Sequence, residues 1–267
     1  MSIPTAPAPR EERTAHCLLD HSGRVVDAAD AEDPFYAAST IKLHVLLAAL
    51  RAADAGGLDL AARVAATSRF RGADGEIFAL GGDHLDPSHP PEGAPVSVRE
   101  LLMRMIDRSS NEATDHVLAL VGLPAVAEEI ARLGLVGTRV ERMIGDASAI
   151  VAGAANETSA GDLARTIRVL VSGDSEPGGL RPRSRELARE ALRAQRIRVI
   201  ARALRSDVEV GSKTGWVDGY RHDVAFLGDP DTTRVRYLAV MTAGMPQEAA
   251  DAHIGRLVRR LLPDLAR

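Results

Sequence analysis

The sequence predicts an α+β fold, with one antiparallel sheet assembled from both chain ends and a helical lobe inserted between them. Three observations lead there. Residues 16–20 and 24–28 read as short strands joined by Asp20-His21-Ser22-Gly23, which is hairpin turn chemistry. From Tyr36 to about Ile200 the apolar residues recur mostly with a helical period. The period then changes to that of strands at 208–216, 222–228 and 234–242, the last two joined through Asp229-Pro230-Asp231. The expected division is a single domain over 1–267, with 14–34 and 206–267 forming the sheet lobe and 35–205 the helical lobe.

Within the helical stretch, residues 41–50 are so apolar that the helix after Ser39 should be buried nearly all round. Ser97-Val98-Arg99-Glu100 is a capping box that opens a helix running to about Asp107, and a second helix starts after Ser109. Further helices fit 124–133, 159–171 and 184–203. An amphipathic helix over 248–262 closes the chain.

The composition, 45% hydrophobic and 26% charged, is that of a soluble globular protein. A net charge of −4, with arginines alternating with acids along the helices, argues against a nucleic-acid partner. No run is long and apolar enough to span a bilayer. Cys17 is the only cysteine, which excludes an internal disulfide and a thiolate metal cluster. In its strand it reads as a buried cysteine, with His16 facing the other way. The first 13 residues lack the apolar stretch of a secretory signal. A cytoplasmic protein is therefore expected if Met1 is the natural start, and a secreted one if the chain has been trimmed.

Of the 33 lysines and arginines only two are lysine, Lys42 and Lys213, and both stand in short motifs. An arginine stays protonated, whereas a crowded lysine can lose its proton and act as a base. Lys42 follows Ser39 by three residues at a helix start, so the two side chains share a face, and the helix dipole and burial both favour the neutral amine. Ser-x-x-Lys also occurs in helices by chance. Ser109-Ser110-Asn111 holds one of only two asparagines, although Ser109 to Glu112 is also a capping box, and for Ser109 on its own the cap is the favoured reading. Lys213-Thr214-Gly215 ends a strand, where a snorkelling lysine and a bulge glycine are the plain reading. The chemical reading explains more: Lys213 and Thr214 face a substrate carboxylate, Gly215 permits close approach, and the N–H of Trp216 joins that of Ser39 in an oxyanion hole.

Taken together and in this order, the three motifs resemble those of the penicillin-recognising serine hydrolases, and among them most closely the class A β-lactamases. The resemblance covers nearly the whole chain. It implies that Ser39 is the acylated nucleophile, Lys42 its base, Ser109 the proton shuttle to the leaving nitrogen, and Asn111 a ligand of the substrate amide and of Lys42. It also implies that Lys213 and Thr214 hold the substrate carboxylate, with Arg221 as a second cation. Ser110 stands where the family has an aspartate whose role is more structural than chemical.

The departure from the family lies in the loop that carries the deacylating glutamate. Arg142 and Glu157 align without gaps on the arginine and acid that clamp this loop by a salt bridge, and on that register the glutamate becomes Ile144 and a water-holding asparagine becomes Ser148. Both ligands of the hydrolytic water are then missing. Asp146 is the nearest carboxylate, either a substitute deacylation base reached by a loop shift or a solvated loop acid.

Asp83-His84-Leu85-Asp86-Pro87-Ser88-His89 lacks metal-ligand spacing and reads as a solvated loop, and His44 reads as a satisfied core histidine. Trp216, Tyr36 and Tyr220 either line the cleft or cover the sheet edge. The expectation is a serine hydrolase working through acyl-Ser39 on a β-lactam or related amide or ester. It needs no metal or organic cofactor, its partner is a small molecule with no membrane or nucleic acid, and its oligomeric state is left open. The alternatives are a cytoplasmic carboxypeptidase, esterase or acyltransferase acting on a metabolite, and a β-lactam-binding protein that acylates without turning over.

Overall fold

The computed structural model describes residues 8–9, 11–81, 85–172 and 179–267. Most of the proline- and alanine-rich leader, and Asp83 and His84 of the histidine loop, lie outside the described residues. The central sheet has strands β1 (Arg13–Leu19), β2 (Val25–Ala29), β3 (Val210–Val217), β4 (Tyr220–Leu227) and β5 (Arg236–Ala243). Their order is β3-β4-β5-β1-β2, every pair antiparallel, so the two chain ends meet where β1 lies against β5 with His16 opposite Val240. β3 is an edge strand, and its free edge borders the site.

Alternation along β1, β4 and β5 buries both faces of the sheet there, while the edge strand β2 is exposed throughout. Cys17 and Leu19 of β1 join the larger core, shared with the helical lobe, while Leu18 joins a second core with Ile254 and Val258. Cys17 is buried as expected, and burial pushes its thiol up to about 11.

Helix α1 (Lys42–Asp54) is buried along its whole first half, Lys42 to Leu50, as its apolar sequence predicts. Helix α2 (Val98–Asp107) begins at Ser97, whose hydroxyl accepts the Glu100 N–H at 3.1 Å. Helix α3 (Asn111–Val121) is capped by Ser110, whose Oγ accepts the Ala113 N–H at 3.2 Å. The capping serine is therefore Ser110 and not Ser109, which leaves the Ser109 hydroxyl for other chemistry. The remaining helices are α4 (Leu123–Arg132), α5 (Ala147–Val151), α6 (Ala160–Val171), α7 (Pro182–Arg193) and α8 (Gln247–Leu261). His44 is the satisfied core histidine expected, between the hydroxyls of Thr158 and Thr166 at 3.1 and 3.3 Å, and burial lowers it to about 3.

Two expectations are corrected. The helix expected over 184–203 stops at Arg193, with only a short 3-10 turn at Ile200–Ala203. The backbone between them is held from elsewhere: the Arg196 N–H donates to Asp107 O, and those of Val199 and Ile200 donate to Asp223 Oδ2 at 3.0 and 2.8 Å. The stretch read as mostly helical also holds short ladders, Arg63–Ala65 with Pro95–Ser97 and Arg69–Arg71 with Ile77–Ala79, and a small sheet of Phe35–Tyr36, Asn156–Thr158 and Arg139–Val140. Strands of two or three residues are too short to show a period.

Candidate active site

Ser39 sits in a 3-10 turn, Ala38–Ile41, that leads straight into α1. Ala38 before it has φ 46°, a left-handed conformation that an alanine adopts only when its surroundings impose it. β3 lies directly against this turn, and Gly215 allows it: a Cβ there would stand 3.0 Å from Thr40 N and 3.1 Å from Ala37 O. The sheet edge and the serine turn are thus in backbone contact.

Lys42 is fully buried, and its Nζ lies 2.6 Å from Ser109 O, 2.7 Å from Asn111 Oδ1 and 3.1 Å from Ser109 Oγ. Lys213 is also fully buried, its Nζ 2.6 Å from Thr214 O and 3.1 Å from the same Ser109 Oγ. One hydroxyl therefore stands between two lysines. Ser109 is fixed there by another left-handed backbone, φ 61°. Burial, followed by the repulsion of Lys213, lowers Lys42 well below the usual lysine range, opposed by Asp115 and Glu112. Burial lowers Lys213 to about 7, opposed by Asp223 and Asp107.

Lys42 Nζ donates to Ser109 O, Asn111 Oδ1 and Ser109 Oγ, and Lys213 Nζ donates to the same hydroxyl. The Ser109 hydroxyl thus accepts from both lysines. Among the described residues no hydrogen bond joins Lys42 Nζ to Ser39 Oγ: Ser39 lies in the 3-10 turn and Lys42 opens α1.

Two cavities meet at Ser39, Asn111 and Trp216. One, about 300 Å³, is lined by Tyr36, Ile41, Leu80, Ile144 and Val217 together with the polar Ser39, Asn111, Arg142 and Asn156. The other, about 410 Å³, is basic, with Arg108, Arg202, Lys213 and Arg221 on its wall. Among the described residues no carboxylate lines either cavity. Trp216 is partly exposed at the rim between them.

The other expected residues fall into place unevenly. Arg221 is buried and lines the basic cavity, paired with Asp251 through contacts of 2.6 and 3.1 Å. Thr214 lines the same cavity, but its hydroxyl is engaged with Ile197 O at 2.5 Å and Asp223 Oδ1 at 3.0 Å. Its expected contact to a carboxylate thus competes with an existing one. Asp146 is neither a solvated loop acid nor a group facing the cleft. It is buried and caps α5, Oδ1 accepting from Ser148 Oγ (2.6 Å) and Ala149 N–H (3.0 Å) and Oδ2 from Ala73 N–H (2.9 Å). The expected clamp also differs: Glu157 pairs with Arg139 at 2.5 Å, and Asn156 ties the Arg142 backbone through its side-chain amide. Ile144 nevertheless lies on the cavity wall beside Ser39, where the register put it, whereas Ser148 does not line it.

Two buried acids escaped the sequence reading. Asp223 lies on β4 opposite Thr214, and Asp115 lies one turn after Asn111 on α3, its Oδ1 accepting the Ile144 N–H at 2.9 Å. The i+4 spacing from Asn111 was the one signal for Asp115. For Asp223 there was none, since a lone acid in a strand pattern reads as an exposed face.

No helix among the described residues is long and apolar enough to cross a membrane, and no group of three or more metal-ligating side chains is found among them. No curated protein matches the sequence. Solved structures do match over nearly their full length. A β-lactamase from Sphaerobacter thermophilus DSM 20745 is 25% identical, covering 95% of this chain and 91% of that one, with a TM-score of 0.77. A β-lactamase from Xanthomonas campestris pv. campestris is 26% identical with the same coverage and TM-score. An ancestral class A β-lactamase is 25% identical over 94% of each chain, with a TM-score of 0.76. The fold is that of these proteins, and the model of the beta-lactamase enzyme family matches residues 16–264, so the chain belongs to that family.

Proposed function

We propose that the protein is a serine hydrolase acylated at Ser39 by a β-lactam or a related amide, and that it releases the acyl group slowly. The observation that carries this is the Ser109 hydroxyl, 3.1 Å from each of two buried lysines and beside the turn that holds Ser39. In this reading Ser39 Oγ bonds to the substrate carbonyl carbon while its proton passes to neutral Lys42. The carbonyl oxygen becomes an oxyanion, held by the N–H groups of Ser39 and Trp216, residues that adjoin the close approach of Gly215 to the serine turn. The C–N bond then breaks, and the leaving nitrogen takes the Ser109 proton, replaced from Lys42. Lys213 and Arg221 hold the substrate carboxylate in the basic cavity, and the cavity walled by Tyr36, Leu80 and Ile144 takes the acyl side. Slow release follows from the apolar Ile144 on that wall.

The assignment is tested by treating the protein with a penicillin and mapping the added mass by peptide sequencing. The label is expected on Ser39, with none in Ser39→Ala. Label at another residue, or equal labelling of Ser39→Ala, would sink the assignment.

A further inference from the structure

We propose that Asp115 is the carboxyl partner of Lys42, a positioning residue on α3 whose buried negative charge stabilises the ammonium formed when the lysine takes the Ser39 proton. The proposal rests on the acyl-Ser39 reading. Asp115 stands one helical turn after Asn111, whose side chain touches Lys42 Nζ at 2.7 Å, so it follows on the same helix face. It is fully buried. Its Oδ1 accepts the Ile144 N–H at 2.9 Å, but Oδ2 has no hydrogen-bond partner, an arrangement that is costly for a carboxylate unless a cation lies near.

The charged groups around this pair single out Asp115. From α3, Glu112 faces Lys42, but its carboxylate is engaged by the Asp86 N–H and the Ser110 hydroxyl. From the segment before α5, Arg142 and Asp146 face Asp115, and the Asp146 oxygens are taken by Ala73, Ser148 and Ala149. From β3, Lys213 faces Lys42 and has its own buried acid in Asp223, whose oxygens hold Thr214, Val199 and Ile200. Asp115 alone among these acids keeps an uncommitted oxygen. Burial raises Asp115 and lowers Lys42, and the charge of each opposes the shift of the other. Because Asp115 lines neither cavity, it can hold this charge and cannot activate water.

The chain has only two lysines, so protein grown with ε-13C lysine gives two lysine signals, and Lys213→Arg leaves that of Lys42 alone. That signal is titrated without substrate in Lys213→Arg and in Lys213→Arg with Asp115→Asn. Asparagine keeps an acceptor oxygen for the Ile144 N–H and removes the charge. The Lys42 midpoint is expected to fall by at least about 1 pH unit, roughly a tenfold change in its proton affinity. In the otherwise native protein, the acid limb of penicillin acylation should move to lower pH with it. A Lys42 midpoint unchanged to within about 0.3 unit overturns the proposal. Failure of the acyl-Ser39 reading would appear separately, as absence of any adduct. If Asp115→Asn does not fold by circular dichroism, the Lys213→Arg titration decides alone: two inflections in the Lys42 signal are expected from a coupled carboxyl, and a single one overturns it.

Discussion

Replacing Ile144 with glutamate is expected to shorten the life of the acyl-Ser39 enzyme by about a hundredfold or more, the usual contribution of a well-placed general base. Ile144 lies on the wall of the cavity that holds Ser39, and no carboxylate among the described residues lines either cavity. On the proposed reading, no carboxylate among the described residues of either wall stands ready to take a proton from a water beside the acyl-Ser39 ester. The companion change Ser148→Asn should add little, because Ser148 is turned to Asp146 and lies off the cavity wall. Asp146→Ala should leave the adduct lifetime unchanged while removing the α5 cap, worth about 1 kcal/mol of stability. Adduct decay followed by mass, beside a thermal melt of each variant, checks both. An Ile144→Glu protein that melts normally and keeps its adduct as long as the wild type would show that water activation is not the missing element.

The second large effect concerns the lysines. Lys42→Arg should slow acylation by about a hundredfold to ten-thousandfold, because a guanidinium cannot accept the Ser39 proton. Lys213→Arg keeps a cation in the basic cavity and should mainly weaken ligand binding through altered geometry. The two also differ with pH. Lys213, lowered to about 7, loses its ammonium as pH rises through that value, so the wild type should bind a carboxylate more weakly above it. Lys213→Arg stays charged and should lose that limb. Stopped-flow acylation against ligand concentration separates the two variants, and a saturating rate for Lys42→Arg equal to that of the wild type would remove Lys42 as the base.

The parts of the fold that were legible in the sequence are those whose signal is local. The apolar run of α1, the Ser97 cap and the change of period after Val208 each state their own structure within ten residues. The lysines were legible because arginine fills every other basic position. What was hidden depends on partners distant in sequence. The end of α7 is set by Asp223, more than twenty residues further on, which takes the N–H groups that a longer helix would have used. Glu157 is bound by Arg139 and not Arg142, because the strand register places Arg139 directly opposite it. Asp146 reads as a surface acid until Ala73, from a loop 73 residues earlier, is seen to donate to it. The sequence makes Ser109 the cap candidate, and only the fold, with its left-handed turn at Ser109, gives the cap to Ser110 and leaves Ser109 between the lysines.

On the proposed reading the acylating half of the chemistry is complete and the releasing half is impaired. The most direct test is the mass of the intact wild-type protein, followed from seconds to hours after mixing with a molar excess of penicillin. A single added penicillin mass should appear quickly, reach one per chain and persist after free ligand is removed. Free protein regenerated within seconds while the penicillin is consumed would contradict the claim by showing efficient release, and a mass that never changes while penicillin stays intact would contradict it by showing no acylation.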